Sequence, residues 1–437
     1  MAGTTTAENA ADAQSTPVGW ARRNTVVALT FLACIIAYTD RVNISVAAVA
    51  MKEDLGWSQT EKGFVLSSFF IGYMLFMFAS GWLATRFGGK RVLGLAVLAW
   101  SAFTLLTPPA AAMSLTALIA VRIAMGVGEA AMFPAAYELF GRWIPPVERT
   151  RAVARMLSGI PLGTLMGLMV TGWIIGRYDW PHAFYFFGAL GLLWAVVWFR
   201  GIAGDPATDP RISTHERELL RREASVTTVA EKLPWRLLLL SMPVWAMVVA
   251  HFSTTWILYF LLAWLPSYFR DVQHLSIANA GLFSAAPWLA MFAVTNLVAP
   301  VADAMIRRGI SVTFTRKLMQ CAGLALSAGF MLAAREVASP ALALALLCGA
   351  TGALGLTWAG YAPNGLDIAP RHAALLAGFS NTFATIPGIV GVAITGWLVD
   401  VTGTYSAAFV LTASVGAIGA IVYALFFSAR PLFADPR

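Results

Sequence analysis

The sequence predicts an all-α membrane protein with twelve transmembrane helices in two pseudo-symmetric bundles of six. Three observations support this prediction: the composition, the number of long apolar segments and the distribution of basic residues. The 437-residue chain is 59% hydrophobic and only 12% charged, and its mean hydropathy is +0.71. A soluble domain of this length could not bury so much apolar surface. We therefore expect a lipid bilayer to surround most of the chain.

The apolar segments are long enough to cross a bilayer, which takes about 20 helical residues. Twelve segments qualify: 25–48, 62–84, 92–110, 114–138, 152–176, 181–202, 241–266, 278–302, 316–334, 340–362, 372–397 and 405–428. The predicted units are a disordered N-terminus (1–24), a six-helix bundle (25–202), a polar linker (203–240), a second six-helix bundle (241–428) and a tail (429–437). Within the linker we expect a short surface helix that begins at Ser213 or Thr214.

Basic residues fall almost entirely on one side of this arrangement. With a cytoplasmic N-terminus, 23 of the 30 lysines and arginines lie in cytoplasmic segments, five, including Lys62, lie in outer loops, and two, Arg41 and Arg122, lie within the membrane. This asymmetry predicts that both termini are cytoplasmic and that the number of helices is even. It also accounts for the net charge of +8 without a nucleic-acid partner.

The two halves of the chain share a weak internal repeat. A Pro-x3-acid-x3-Arg pattern recurs at an offset of 229 residues, formed by Pro134, Glu138 and Arg142 in the first half and by Pro363, Asp367 and Arg371 in the second. Parallel six-helix repeats around a cavity at the middle of the membrane are one architecture of membrane transporters.

Four charged residues stand out within the predicted membrane segments, where each charge costs at least about 2.5 kcal/mol. Asp40 and Arg41 are adjacent on helix one and point about 100° apart, so they cannot pair with each other and at most one faces a central cavity. Arg122 and Glu129 on helix four are seven residues apart and share a face, about 10 Å apart. We expect these charges to be functional; ion pairs that only hold the two helices together are the structural alternative.

Several stretches of the chain resemble the major facilitator superfamily. "GWLATRFGGKR" (81–91) resembles the loop motif between its second and third helices, although Thr85 stands where the motif usually has aspartate, and Asp303 holds the equivalent place in the second half. "DRVNISVAAVAM", "RIAMGVGEAAMFPA", "RWIPPVERTRA" and "LDIAPRHAALLAGFSNTFATIPGIVG" are similar to the anion:cation symporter branch. That branch includes sialin, vesicular glutamate transporters, plant anion transporters and bacterial sugar-acid symporters. The resemblance covers nearly the whole chain after residue 35 and does not specify the anion.

Charge chemistry predicts roles for these four residues. Arg41 and Arg122 are expected to bind an anionic group, because guanidinium stays charged when buried and grips carboxylate or phosphate with a fork of donors. Glu129 and Asp40 are the expected proton carriers. Protonation of Glu129 would free an arginine for the substrate anion, so that proton and substrate favour each other's binding. The resemblance implies the same roles for the arginine and the glutamate of helix four.

The remaining candidates are neutral residues in the membrane or charged residues at helix ends. The further substrate-binding candidates are Tyr73, His251, Thr254, Asn364, Ser380 and Asn381. The second-half members of this set could hydrogen-bond the uncharged part of a substrate, with helix packing as the alternative. The gating candidates, expected to form ion pairs at the cytoplasmic helix ends, are Arg86, Arg91, Asp303, Glu138, Arg142, Asp367 and Arg371. Basic loops also follow from topology alone, which is the alternative there.

Other functional classes lack their signatures in this sequence. An enzyme would need a nucleophile with its base or a metal cluster, and we find no such motif, so we expect neither catalysis nor a cofactor or bound metal. A receptor would normally add a soluble domain, and a channel would need a filter segment. We expect a monomeric secondary transporter in the bacterial cell membrane, which carries a small organic anion such as a sugar acid together with protons. An inorganic-phosphate carrier or a sodium-coupled anion carrier is the alternative, with Asp40 or Asn43 contributing oxygen ligands to sodium.

Overall fold

The computed structural model describes residues 20–223, 239–369 and 372–432. Among these residues twelve helices are long and apolar enough to span a bilayer, which confirms the predicted fold class. They are α1 (Arg22–Leu55), α2 (Gln59–Phe87), α3 (Gly89–Met113), α4 (Leu115–Trp143), α5 (Pro146–Arg177), α6 (Trp180–Gly201), α7 (Met242–Asp271), α8 (Ile277–Arg307), α9 (Val312–Ala334), α10 (Pro340–Ile368), α11 (Leu375–Thr402) and α12 (Ser406–Phe426). Residues 1–19 of the N-terminal segment that was predicted to be disordered lie outside the described residues. The second part of the linker (224–238) and Arg371 lie outside them as well.

Serine residues define where many of these helices begin. Ser58 accepts a hydrogen bond from the backbone N–H of Glu61, whose carboxylate returns to the Ser58 N–H at 2.8 Å, and this reciprocal capping box starts α2. The linker helix that the sequence predicts is present at Thr214–Glu223, with Ser213 Oγ accepting from the Glu216 N–H at 3.1 Å. The same kind of N-cap starts α4, α8, α9 and α10, where the capping residues are Ser114, Ser276, Ser311 and Ser339.

The first part of the linker docks on the start of α1 through a buried carboxylate. Asp209 is fully buried and accepts a hydrogen bond from Arg22 Nη2 at 3.0 Å. Burial alone would raise the pKa of Asp209, but the backbone N–H of Arg211 and the Arg22 guanidinium outweigh it, so the pKa is lowered. The described part of the linker is therefore fixed to the first bundle.

Helix α4 packs directly against α2 and α3 and is interrupted near its middle. The helical hydrogen bonding breaks at Ala130 and Ala131, immediately after Glu129. A Cβ atom on Gly126 would lie 2.1 Å from the Phe69 carbonyl oxygen, so only glycine permits this approach of α4 to α2. The close packing holds Glu129 at the centre of the first bundle.

The two bundles meet at one side of the membrane, which we call the opposite side because α1 begins and α12 ends at the other, terminal side. The Asp400 carboxylate of α11 accepts hydrogen bonds from the backbone N–H groups of Gln59 (2.9 Å) and Thr60 (2.6 Å) at the start of α2. Glu53 and Arg270 add an ion pair of 3.1 Å between the bundles. Within the described ranges, the ion pair and the carboxylate contacts between the bundles lie at this opposite side; nearer the terminal side, Asn381 Nδ2 of α11 and Met77 Sδ of α2 form one hydrogen bond of 3.2 Å. The molecule is therefore closed at the opposite side.

We expect Asp400→Asn to loosen this closure. The amide loses the charge that stabilises the N–H groups at the start of α2, an effect of about 0.3–1 kcal/mol at an exposed helix end. A cysteine introduced at Ser267, which is fully buried in α7 near this contact, should then react about two- to fivefold faster with a membrane-impermeant thiol reagent. The measurement uses a background without the three native cysteines.

The matched control for this variant is Glu336→Gln. Glu336 lies at the same side of the membrane and pairs only with its neighbour Arg335, within one bundle. It should leave the reaction rate unchanged. An Asp400→Asn protein that reacts no faster than the parent would show that the Asp400 contact does not hold the bundles together.

Candidate functional site

The centre of the first bundle holds a buried ion pair between α1 and α4. Arg41 Nε donates to Glu129 Oε1 at 2.9 Å, and Arg41 Nη2 donates to the same oxygen. Both side chains are buried. The second oxygen, Glu129 Oε2, accepts no hydrogen bond from a described residue. That oxygen can therefore take a proton without breaking an existing hydrogen bond.

Aromatic rings from α1 and α2 surround the Arg41 guanidinium. Its Cζ lies 4.7 Å from the ring centroid of Tyr38 and 5.0 Å from those of Phe69 and Tyr73. Contacts of this kind stabilise a cation by about 0.5–2 kcal/mol each. Arg41 consequently keeps favourable surroundings even when the charge of Glu129 is neutralised. Tyr73, a predicted substrate-binding residue, thus lies beside the ion pair.

Arg122 is buried as deeply as Glu129 but has no acidic partner. Its Nη1 contacts Met125 Sδ at 3.3 Å, and its Cζ lies 5.4 Å from the Phe69 ring centroid. The Nε atom has no hydrogen-bond partner, and no carboxylate in the described part of the chain lies within ion-pairing distance. A guanidinium with unused donors at this depth is suited to bind an anion.

Arg41 and Arg122 line the same cavity between the two bundles. The other lining residues are Ile44, Ser45, Leu66, Phe69, Phe70, Tyr259, Leu262 and Ala263, of which the last three belong to α7 of the second bundle. The cavity measures about 20 Å³, which is room for about one water molecule. The two guanidinium groups therefore face a common space, but that space must widen before it can hold a sugar acid.

Asp40 belongs to a different environment from its neighbour Arg41. Its carboxyl lies near Trp100 and Thr104 of α3, and neither oxygen forms a hydrogen bond. Asn43, one turn further along α1, also has both polar side-chain atoms buried without a described partner. The 100° between adjacent helical residues thus separates Asp40 from the arginine cavity. A carboxyl at this depth needs a proton or a cation to offset its charge.

His251 and Ser380 of the second bundle contact each other. His251 Nδ1 lies 2.9 Å from Ser380 Oγ, and the imidazole stacks on the Tyr361 ring with centroids 4.4 Å apart. Asn381 reaches the first bundle, where its Nδ2 lies 3.2 Å from Met77 Sδ of α2. Of these three substrate-binding candidates, Asn381 therefore makes a contact between the bundles, whereas His251 and Ser380 bond within the second.

Thr254 and Asn364 form hydrogen bonds inside the second bundle. Thr254 Oγ1 accepts from Gln320 Nε2 at 3.1 Å, and Asn364 Nδ2 donates to the Tyr423 hydroxyl at 2.7 Å. Both side chains are buried away from the arginine cavity. In this conformation their geometry matches the packing alternative, and a role in substrate binding stays a prediction.

Three of the predicted gating residues stand apart at the terminal side. Arg86, Arg91 and Asp303 are exposed, and none forms an ion pair with another residue that the structure describes. Among the described residues, the ion pairs expected between them are not formed in this conformation. The latch stays a prediction for the conformation that closes the terminal side.

The other gating candidates pair within their own bundles. Glu138 accepts from Arg142 Nε at 2.5 Å, as the spacing of four residues predicts. Asp367 pairs with Arg316 of α9 at 2.8 Å, a partner that the sequence analysis did not single out. Arg371, the partner suggested by the repeat, lies outside the described residues.

The assignment of Lys62 to an outer loop is wrong. Lys62 lies in the first turns of α2, is 1% exposed, and donates from Nζ to Ser267 Oγ of α7 at 2.9 Å. Lys62 stands at the first position of the predicted segment 62–84, and a charge at such a boundary is assigned to the adjoining loop. The capping-box pattern Ser58-x-x-Glu61 contained the signal, because it starts the helix before Lys62.

The family model of the Major Facilitator Superfamily matches residues 30–392 of the chain. The chain belongs to this superfamily. Sodium-dependent phosphate transport protein 1, chloroplastic, of Arabidopsis thaliana is 36% identical over 405 residues, which cover 93% of this chain and 79% of that protein. Human sialin is 32% identical over 449 residues, which cover 95% and 91%. These relatives confirm the predicted branch of the superfamily, and their names are those of transporters rather than enzymes.

Solved structures of other superfamily members confirm the fold. A bacterial homologue of the lysosomal transporter Spinster, inward-facing and unoccupied, superimposes with a TM-score of 0.76 at 18% identity, covering 97% of this chain and 100% of that one. A D-xylose–proton symporter gives 0.72 at 16% identity, with coverages of 93% and 98%. At these identities the likeness concerns the architecture alone.

Proposed function

We propose that this superfamily member is a symporter that moves a small organic anion, such as a sugar acid, together with protons by alternating access of its two bundles. One observation carries the proposal. Two buried arginines line one cavity between the bundles, and only Arg41 has a carboxylate partner, while Arg122 has none. The relatives named for phosphate and ascorbate transport support an anionic cargo.

The Arg41–Glu129 pair supplies the coupling between proton and substrate. When Glu129 gains a proton, it loses the charge that holds Arg41, and the guanidinium can turn toward an anion already held by Arg122. The bound anion in turn favours the state in which Glu129 is neutral, because the two effects are reciprocal. Asp40, which lies outside the arginine cavity, serves as a second proton site.

In the proposed alternating access, the bundles separate at the side where the Asp400 and Arg270 contacts now join them. In the orientation we propose, both termini lie in the cytoplasm and the opposite side faces the exterior of a bacterial cell. The conformation described here is closed outward, so the anion would leave toward the terminal side. Return to the outward-open state requires the Asp400 and Arg270 contacts to break and the terminal ends, with Arg86, Arg91 and Asp303, to approach each other.

A phosphate carrier or a sodium-coupled anion carrier is the second candidate. The oxygens of Asp40 and Asn43 are buried without hydrogen-bond partners, and carboxylate and amide oxygens suit a hard cation such as sodium. In that case sodium, rather than a proton, would offset the charge of Asp40. The arginine cavity would keep its role, since phosphate and carboxylate both match the guanidinium fork.

Uptake into proteoliposomes separates these candidates. Labelled D-glucuronate and labelled inorganic phosphate are each offered with an inward proton gradient, an inward sodium gradient or no gradient. We expect glucuronate to accumulate with the proton gradient and the accumulation to collapse when a protonophore is added. Sodium-driven uptake, or accumulation of phosphate alone, would favour the second candidate. No accumulation of either anion under any gradient would reject both.

A further inference from the structure

A second buried cation, Lys62, lies where the two bundles meet at the opposite side. Its Nζ donates to Ser267 Oγ at 2.9 Å and lies 4.7 Å from the ring centroid of Trp264. Both contacting residues belong to α7, in the other bundle, and the lysine is 1% exposed. The ammonium is therefore sealed by groups that must move away when this side opens.

The partners of Lys62 are neutral although acids lie nearby. Asp271 accepts hydrogen bonds from Gln59 Nε2 (3.0 Å) and from the Tyr405 hydroxyl (2.7 Å), and Asp400 is bound to the start of α2. No described carboxylate lies within ion-pairing distance of Nζ. A lysine buried without an anion in contact destabilises the closed state, whether it keeps its charge or gives up a proton, and an uncharged side chain could make the same contact at a lower cost in free energy. A lysine at this position therefore calls for a functional reason.

Lys62 lies on the face of α2 that leads to the arginine cavity. Leu66 and Phe69, which line that cavity, follow Lys62 by four and seven residues, so the three share one stripe of the helix. Seven residues correspond to about 10 Å along the helix axis. An anion that met Lys62 in an outward-open state would be about two helical turns from Arg41 and Arg122.

We propose that Lys62 is an outer binding site at which the transported anion, a carboxylate or phosphate, docks before it reaches the arginines. The proposal rests on the anion transport proposed above. Neutral partners fit this role. A carboxylate partner would compete with the substrate for the ammonium, whereas the anion can replace the weaker contacts with Ser267 and Trp264. When the bundles close, Ser267 and Trp264 contact Lys62 again, and the anion moves on to the arginine cavity.

A residue that merely locks the closed state would behave differently. Loss of a lock favours the outward-open conformation, so Lys62→Gln would lower the KM for external substrate. Ser267→Ala, which removes the same hydrogen bond but leaves the ammonium, would then have the same effect. A docking site predicts opposite responses, since only Lys62→Gln removes the charge that the anion needs.

Transport from the two sides of right-side-out vesicles tests the proposal, with glucuronate or, where that is the anion carried, phosphate as the probe. We expect Lys62→Gln to raise the external KM about tenfold, while the KM for efflux from the vesicle interior changes less than about twofold. Lys62→Arg should stay near wild type, and Ser267→Ala should leave the external KM equal or lower. Arg335→Gln is the matched control, because Arg335 lies at the same side, is exposed and is paired in the described chain with its neighbour Glu336.

Chemical rescue keeps the test independent of folding. In the cysteine-free background, Lys62→Cys should show the raised external KM, and an aminoethyl thiosulfonate that restores an ammonium should lower it again, whereas a sulfonate-bearing reagent should not. An external KM that is unchanged in Lys62→Gln, or lowered in both Lys62→Gln and Ser267→Ala, would overturn this inference alone. A wild-type protein that carries neither probe would instead remove the proposed function on which it rests.

Discussion

Replacing Glu129 with glutamine should abolish proton-driven accumulation and leave substrate exchange intact. Glutamine has the shape of the protonated acid, so Arg41 stays permanently available to the anion, but no proton is gained or lost. Accumulation under a proton gradient should fall at least about tenfold, and exchange should lose the part of its pH dependence that Glu129 supplies, because binding of the anion is no longer linked to a proton at this position. Removing one partner of a buried ion pair outright lowers the stability of the fold by roughly 3–5 kcal/mol. The loss of stability should be smaller here, because the glutamine amide oxygen still accepts a hydrogen bond from Arg41.

The measurement compares gradient-driven uptake with counterflow in the same proteoliposomes. Glu336→Gln is the control, since this exposed carboxylate pairs only with its neighbour Arg335 and lies far from the arginine cavity. A Glu129→Gln protein that still concentrates the anion with the proton gradient would show that Glu129 is not the coupling carboxyl. Asp40→Asn would then be the variant expected to uncouple transport.

Arg122→Gln should weaken anion binding about a hundredfold or more, within the range measured when one partner of a desolvated charge pair is truncated. No described acid is hydrogen-bonded to Arg122, although Glu129 and Asp40 lie close enough to interact with its charge; Glu129 keeps its Arg41 partner after the replacement, so the fold should persist. Arg122→Lys keeps the charge but loses the planar fork, and we expect it to fall between wild type and Arg122→Gln.

Equilibrium binding of labelled glucuronate or phosphate to purified protein gives the Kd of each variant. Arg335→Gln is the matched control, because it removes an exposed arginine whose only ion pair is with its neighbour. Binding of wild-type strength in Arg122→Gln, with loss of binding in Arg41→Gln, would move the anion site to the ion pair and contradict our assignment.

The fold was predictable because a bilayer imposes simple rules on a sequence. Length and hydropathy identify the helices, and the rarity of charges at depth identified Asp40, Arg41, Arg122 and Glu129. The same rules failed at Lys62, because hydropathy treats a charge near a helix end as loop. At this position the capping box predicts the start of the helix more accurately than hydropathy averaged over a window of residues.

The pairing of the site residues could not be predicted from their spacing. Arg41 and Glu129 are 88 residues apart, and their contact depends on how α1 and α4 are rotated about their axes. The surroundings of the neutral candidates could not be predicted for the same reason. Whether Thr254 faces a substrate or a neighbour depends on Gln320 of α9, which supplies its donor from 66 residues away. Helix rotation and depth are set by the whole bundle, and a single sequence records them only indirectly.

The contact between Asp400 and the start of α2 places different requirements on the residues at its two edges. On the α2 edge the donors are the main-chain amides at positions 59 and 60 and the Thr60 hydroxyl, so proline at either position would remove an amide donor and loss of the hydroxyl would remove the third. On the α11 edge a single carboxylate must be kept. Mutational tolerance of the Asp400 contact should accordingly be greater on the α2 edge, where two of the three donors are main-chain groups, than on the α11 edge, where one carboxylate accepts all three hydrogen bonds.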